Sequence, residues 1–196
     1  MARRPPSRTT MVVAALVAAI AGSLVGVVLA DAFDGEPEYD GDFVLEQPGV
    51  FQQPDEDINV DTSGGELPDV PIVDADGNEV SLAAYAGRPL VVNFWFSRCA
   101  PCRRELRDFA EVHAEVGDRV QFVGVDPFDT VEAMERFAGE RGVTYPLLRD
   151  PERSLTNALS IVGYPVTLFV DADGTILRQT GVIDADGLRS AIEELF

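Results

Sequence analysis

The feature that most constrains this chain is its cysteine content: Cys99 and Cys102 are the only two cysteines. They lie directly after the run 89–96, which is opened by proline and rich in β-branched and aromatic residues, as is typical of a buried strand. After Cys102 the apolar residues fall at helical spacing, at Leu106, Phe109, Ala110 and Val112. This pattern predicts that Cys99 lies in the first turn of a helix that follows a central strand.

A helix N-terminus gives such a cysteine pair a definite chemistry. Unpaired backbone N–H groups and the helix dipole favour a thiolate over a thiol. Arg98 precedes Cys99 and adds a positive charge that favours the thiolate further. A thiolate with a second thiol one turn away attacks a disulfide and then resolves the mixed disulfide that forms.

The composition narrows the classes of function. The 196 residues carry a formal net charge of −19, which argues against a nucleic-acid partner because phosphate binding needs a positive surface. Two cysteines are too few for the disulfide scaffold of a small secreted domain, and they form one redox pair, one structural bridge or half of a metal site. Zinc needs four ligands, and His113 is the only histidine. We therefore predict neither a metal site nor a cofactor.

Residues 11–30 form an uncharged, mostly apolar run that follows several arginines. At about 1.5 Å per residue, a helix of that length spans roughly 30 Å, the thickness of a bilayer core. The arginines before the run and the acidic residues after it predict that residues 1–10 are cytoplasmic and that the rest lies outside. We predict a retained single-pass anchor in the cell membrane. The alternative is a signal peptide cleaved before Asp31, which would give a secreted protein.

The segment 31–66 contains many acidic residues, several glycines and prolines, and no basic residue. It buries too little apolar surface to fold by itself, and its charges repel one another. We therefore predict a disordered acidic linker over 31–66, which holds a folded domain of residues 67–196 away from the membrane.

Within this domain, strand and helix patterns alternate. Strands are predicted at 70–73, 79–80, 90–96, 119–125, 145–148, 166–170 and 175–179. Helices are predicted at 81–85, 100–116, 131–141, 151–159 and 187–195. The alternation implies parallel pairing in the first half, and the last two strands form a hairpin. The predicted fold class is α/β: a mixed β-sheet flanked by helices on both faces, with an N-terminal β-hairpin extension and the reactive site at the carboxyl end of a central strand.

Several motifs in residues 67–196 occur in the order and spacing of one known family. They are Val92-Asn-Phe-Trp95, Cys99-x-Pro-Cys102 with Glu105, Gly163-Tyr-Pro165, and Val170-Asp-Ala-Asp-Gly174. With these motifs the domain resembles membrane-anchored, thioredoxin-like thiol–disulfide oxidoreductases. It is most similar to the TlpA/ResA-like subfamily, which reduces disulfides outside the cytoplasm and serves cytochrome c maturation.

The resemblance implies a role for each motif. Cys99 would be the attacking thiol and Cys102 the buried resolving thiol, and together they would form a redox-active disulfide. Pro165 would be cis and face the cysteine pair, as a cis X-Pro bond in a tight turn allows. Tyr164 would hydrogen-bond an extended substrate, with Trp95 also in the substrate site. The implied substrate is a protein disulfide such as that of apocytochrome c, and the implied electron donor is a thiol protein embedded in the membrane.

One carboxylate is a candidate proton acceptor. Asn93 stands where cytoplasmic thioredoxins carry a buried aspartate, which removes one acceptor for the proton of Cys102. Glu105 follows Cys102 by one helical turn and is the remaining carboxylate close enough to take that proton. The competing interpretation is that Glu105 is a solvated helix residue.

Three other functions occur on this fold and are weighed against disulfide reduction. A copper chaperone would bind the metal through both cysteines and a histidine, but related chaperones space their cysteines one residue wider, and His113 lies three turns along the same helix. Peroxide reduction uses a lone cysteine with a threonine and an arginine around it, an arrangement we do not find in the sequence. A disulfide oxidant is the third, because Arg98 and the helix terminus stabilise the reduced form, whereas the subfamily resemblance indicates a reductant.

Overall fold

The computed structural model describes residues 58–196. The predicted cytoplasmic segment, the predicted anchor at 11–30 and the predicted linker before Ile58 lie outside the described residues. Among the residues that the structure describes, no helix is long and apolar enough to cross a membrane.

The described residues form a mixed sheet of seven strands. The strands are β1 (Ile72–Val73), β2 (Glu79–Val80), β3 (Leu90–Phe94), β4 (Gln121–Asp126), β5 (Leu147–Arg149), β6 (Val166–Val170) and β7 (Ile176–Thr180). Their order across the sheet is β2-β1-β5-β4-β3-β6-β7. β3, β4 and β5 pair in parallel, and the other pairs are antiparallel. The predicted mixed sheet is confirmed, and the predicted N-terminal hairpin forms one edge of it.

Four α-helices and one short 3₁₀ helix connect the strands. They are α1 (Cys102–Val116), α2 (Val131–Gly139), α3 (Ser154–Ala158), α4 (Ala185–Leu195) and the 3₁₀ helix Leu82–Tyr85. Side-chain caps begin several of them: Ser81 accepts from the Ala83 N–H, Thr130 from the Ala133 N–H and Asp184 from the Gly187 N–H.

β3 is buried along its whole length because elements cover both of its faces. Val91 packs in a cluster with α1 and α4, through residues such as Phe109 and Leu188. Val92 packs on the opposite face with Leu155 of α3 and other residues of that side. A continuous apolar run is the pattern expected of a strand buried in this way, and it places the end of β3 at the centre of the molecule.

The domain begins earlier than predicted. The predicted linker ends at residue 66, whereas residues 58–67, which we call the N-terminal strap, bond to the body of the domain. The Gly64 N–H donates to the Ile176 carbonyl at 2.7 Å, and the Leu67 N–H donates to the Gly174 carbonyl at 2.9 Å. The strap buries little apolar surface and is held instead by hydrogen bonds along β7. Such hydrogen bonds cannot be predicted from the composition of the segment, which is typical of a disordered linker.

Candidate active site

The segment between β3 and α1 carries the cysteines. The strand was predicted to reach Phe96 but ends at Phe94, although the Trp95 N–H still donates to the Val125 carbonyl at 3.1 Å. Two residues further on, the chain has left the sheet, and the Ser97 N–H donates to the Asp129 carboxylate at 2.6 Å. The Cys99 N–H then donates to the Phe96 carbonyl at 3.1 Å, which closes a tight turn before the helix.

Cys99 and Cys102 form a disulfide, with their Cα atoms 5.3 Å apart. Cys99 lies just before α1, and the Cys102 N–H at the start of that helix donates to the Cys99 sulfur at 3.3 Å. Cys99 is 6% exposed and Cys102 is 0% exposed. The backbone therefore offers a hydrogen-bond donor to the more accessible sulfur, as the position at a helix N-terminus predicts, and this donor would stabilise a thiolate there.

Glu105 lies inside the protein rather than in solvent. It is 1% exposed and is held from two sides: the Ile183 N–H donates to Oε1 at 3.1 Å, and the Asn93 amide donates to Oε2 at 3.4 Å. Burial raises the pKa of Glu105 to about 8, although these two hydrogen bonds act in the opposite direction. The competing interpretation of a solvated helix residue is wrong, because Glu105 shares the buried face of α1 with Cys102 and Leu106.

The loop before β6 lies beside the cysteine segment. The Tyr164–Pro165 peptide bond is cis, as the resemblance implied. Val166 pairs with Phe94, so the buried Pro165 adjoins the end of β3. The half-buried Tyr164 packs against the cluster that contains both cysteines, and its ring contacts Phe96 with ring centroids 5.5 Å apart.

Trp95 is not available to a substrate in this structure. It is 0% exposed and stacks on Phe137 of α2, with ring centroids 5.5 Å apart. Alternation along the chain explains this placement, because Trp95 follows Val91 by four residues and both side chains pack against residues of α1. The predicted substrate contact by Trp95 is therefore corrected to a supporting position beneath the cysteines.

Two aspartates near the site were not predicted. Asp126 ends β4 and is buried, and its Oδ1 accepts from the Phe128 and Asp129 N–H groups at 2.8 and 2.9 Å. Burial raises the pKa of Asp126. Burial acts in the same direction on Asp129, but its hydrogen bonds with the Ser97 N–H, with Asp126 and with the Ser97 side chain, together with the positive charge of Arg98, outweigh burial and lower the pKa of Asp129. The signal for both aspartates was their position at the carboxyl end of a strand parallel to β3.

We expect Asp129→Ala to loosen the cysteine segment. The variant leaves the Ser97 N–H without its acceptor, which typically costs about 1 to 3 kcal/mol for a buried group. The free energy of unfolding of the full-length protein should fall by that amount, and its disulfide-exchange rate should fall severalfold. Denaturant titration and an exchange assay measure the two effects, with the exposed Asp118→Ala as the matched control. Equal values for the two variants would show that Asp129 does not hold the segment.

His113 is held by packing against aromatic side chains. Its ring packs edge-on against Phe122 and Tyr145, with ring centroids 5.3 Å apart in both pairs, and its Nδ1 lies 3.4 Å from the Thr144 hydroxyl. Burial lowers the pKa of His113. Within residues 58–196 no three or more His, Cys, Asp or Glu side chains are grouped so that they could hold a metal ion.

A disulfide at the start of a helix, reached by the central strand of a mixed sheet, defines a thiol–disulfide oxidoreductase with a thioredoxin-like fold. The protein is an enzyme of this class. Residues 63–188 match the model of the AhpC/TSA family, and the chain belongs to that family.

Relatives of two kinds are similar to this chain. A Mycobacterium tuberculosis protein provisionally named a peroxiredoxin is 35% identical over 131 residues, which are 64% of this chain and 80% of that protein. The thiol-disulfide oxidoreductase ResA of Geobacillus kaustophilus is 27% identical over 134 residues, which are 67% of this chain and 77% of ResA. The solved structure of MTB DsbF has a TM-score of 0.60 and 27% identity, and it covers 65% of this chain and 96% of DsbF.

Proposed function

We propose that this protein reduces protein disulfides outside the cytoplasm, with apocytochrome c as a candidate substrate. The observation that carries the proposal is the Cys99–Cys102 disulfide, in which Cys99 is 6% exposed and Cys102 is 0% exposed. A pair in which the first cysteine lies nearer the surface than the second suits a two-step exchange, because the second thiol meets only the mixed disulfide. The similarity to ResA and the predicted N-terminal anchor support the choice of substrate and compartment.

The reaction proceeds from the reduced pair. The Cys99 thiolate attacks one sulfur of the substrate disulfide, a mixed disulfide forms, and the other substrate sulfur leaves as a thiolate. Cys102 loses its proton and attacks the Cys99 sulfur, which releases the second substrate thiol and restores the Cys99–Cys102 disulfide. Two electrons have passed to the substrate, and a membrane-embedded thiol donor returns the pair to its reduced form.

Glu105 is the proposed acceptor of the Cys102 proton. It lies one helical turn after Cys102, and both side chains are buried. The pKa of Glu105, near 8, is close to that of an ordinary thiol, about 8.5. Transfer of a proton from Cys102 to Glu105 therefore costs little free energy. The Asn93 amide and the Ile183 N–H hold the carboxyl group in place.

The experiment that tests this function uses Cys102→Ser in the full-length, reduced protein. With a protein disulfide such as insulin, we expect a stable mixed disulfide at Cys99, since the resolving thiol is missing. Mass spectrometry of the non-reduced adduct identifies the linked cysteines, and the wild-type protein, which turns over, is the control. If neither an adduct nor wild-type reduction of insulin is seen, the proposal is wrong.

Peroxide reduction is a second candidate, favoured by the 35% identity to the M. tuberculosis protein. In that reaction the Cys99 thiolate takes one peroxide oxygen to become a sulfenate, water leaves, and Cys102 condenses with the sulfenate to give the same disulfide and a second water. Cys102→Ser would then accumulate sulfenic acid with hydrogen peroxide, which dimedone labels. Fast peroxide turnover by the wild type with slow insulin reduction would favour this candidate.

A further inference from the structure

The N-terminal strap begins beside the loop that precedes the cis-proline. The Asn59 side chain is 9% exposed and bonds to two consecutive residues of that loop. Its Oδ1 accepts from the Val162 N–H at 2.7 Å and from the Gly163 N–H at 2.9 Å. Its Nδ2 donates to the Gly163 carbonyl at 3.1 Å. One side chain therefore fixes three backbone groups immediately before Tyr164.

Ile58 adds a packing contact at the same place. A Cβ atom placed on Gly163 would lie 2.5 Å from the Ile58 Cδ1 atom, so the Ile58 side chain sits directly against the backbone of Gly163. A side chain at position 163 would displace it. The strap and the loop thus fit closely, and Gly163 is the residue that permits the contact.

The rest of the strap is held independently of this loop. The Gln179 Oε1 atom of β7 accepts from the Thr62 hydroxyl at 2.7 Å, and the Gln179 Nε2 atom donates to the Val60 carbonyl at 2.9 Å. These bonds join the strap to the sheet, while Asn59 reaches across to the loop. Loss of the Asn59 side chain would therefore release the loop and leave the strap attached to β7.

From these contacts we infer that Asn59 is a positioning residue for substrate binding, which sets the place of Tyr164 and Pro165 beside Cys99. The inference rests on the proposed function, because Tyr164 is expected to hydrogen-bond an extended substrate. Asn59 lies before residues 63–188, the part of the chain that the family model matches.

We expect Asn59→Ala to raise the KM for insulin about tenfold while kcat changes by less than about threefold. Tenfold corresponds to about 1.4 kcal/mol, within the net contribution of the hydrogen bonds that are lost. A small disulfide such as hydroxyethyl disulfide reaches Cys99 without an extended contact to the loop, so its kcat/KM should stay within about twofold. Both substrates are measured with the full-length protein.

Two further variants make the result specific. Asn59→Asp keeps the acceptor for both N–H groups but loses the donor to the Gly163 carbonyl, so it should restore only part of the KM for insulin, which a general loss of stability would not predict. Asn78→Ala removes an asparagine of the β1–β2 turn that bonds only locally to Asp74, and it should leave both KM values unchanged. An Asn59→Ala variant that slows both substrates equally, or neither, would overturn the inference.

Amide hydrogen exchange separates this inference from the proposed function. In Asn59→Ala the Val162 and Gly163 amides should exchange at least tenfold faster, whereas the Ile176 amide of β7 should not change. Unchanged exchange at both loop amides overturns the inference whatever the activity. A wild-type protein that reduces no disulfide would instead overturn the proposed function, with the exchange rates still reporting whether Asn59 holds the loop.

Discussion

Cys99→Ser is expected to lower insulin reduction by the full-length protein about a thousandfold or more. A serine hydroxyl does not ionise near neutral pH, so the N–H of Cys102 and the helix dipole have no thiolate to stabilise. The remaining Cys102 is 0% exposed and cannot replace Cys99 as the attacking group. Steady-state reduction of insulin by an excess of a chemical thiol donor, corrected for the donor alone, measures the loss.

Cys102→Ser is the matched control for this prediction. It removes one sulfur of the same disulfide but leaves Cys99 in place, so a single attack on substrate should still occur at a rate similar to that of the wild type. If Cys99→Ser retained the first attack and Cys102→Ser lost it, the roles of the two cysteines would have to be exchanged.

Glu105→Gln is expected to slow the second step about a hundredfold, the lower end of what a positioned proton acceptor contributes. An amide cannot take the Cys102 proton, but it fits the same space. In the wild type, resolution of the mixed disulfide should accelerate as the pH rises towards about 8, because Glu105 must lose its own proton before it can accept another. The variant should lose this acceleration, which stopped-flow measurement of substrate release between pH 6 and 9 would show.

The same substitution has an effect on stability with a definite sign. The pKa of Glu105 is raised by burial from 4.5 to about 8, so the folded protein binds a proton there that the unfolded chain releases. Stability is therefore highest below about pH 4.5 for this group and is lost as the pH rises to about 8 and beyond. Glu105→Gln removes this dependence, and at pH 9 it should be more stable than the wild type by up to about 5 kcal/mol.

Denaturant titrations at pH 6 and pH 9 measure this difference, and Glu135→Gln, an exposed glutamate on α2, is the matched control. The control should show the same change of stability with pH as the wild type. A Glu105→Gln variant that lost stability at pH 9 would contradict the view that the ionised carboxylate is costly inside the protein.

The parts of the site that follow from local pattern were predicted from the sequence. The apolar run of β3 and the helical spacing after Cys102 placed the cysteines at a strand–helix junction, and the structure confirms that position. The hairpin turns were also predictable, since Gly77 and Gly174 each lie between two predicted strands and adopt a positive φ, of 85° and 97°. Short-range constraints act within a few residues, so a sequence reveals them directly.

The parts that depend on long-range contacts were not predicted. The environment of Glu105 is completed by Asn93 and by Ile183, which is 78 residues away in sequence. Asn59 lies in an acidic, polar stretch, and its partners at Val162 and Gly163 are more than a hundred residues further along. A polar residue in a disordered linker and one that satisfies a distant backbone have the same local sequence pattern, and only the fold separates them.

The N-terminal strap also covers part of one edge of the sheet. An open edge strand is a template for pairing with another chain. Here Gly64 bonds to Ile176 at the beginning of β7, Leu67 bonds to Gly174 just before this strand, and the Ser63 hydroxyl accepts from the Gln179 N–H at 3.0 Å. At the opposite edge β2 has only two residues. Within residues 58–196, neither margin of the sheet presents a long unpaired strand, and removal of the strap would open β7 to self-association.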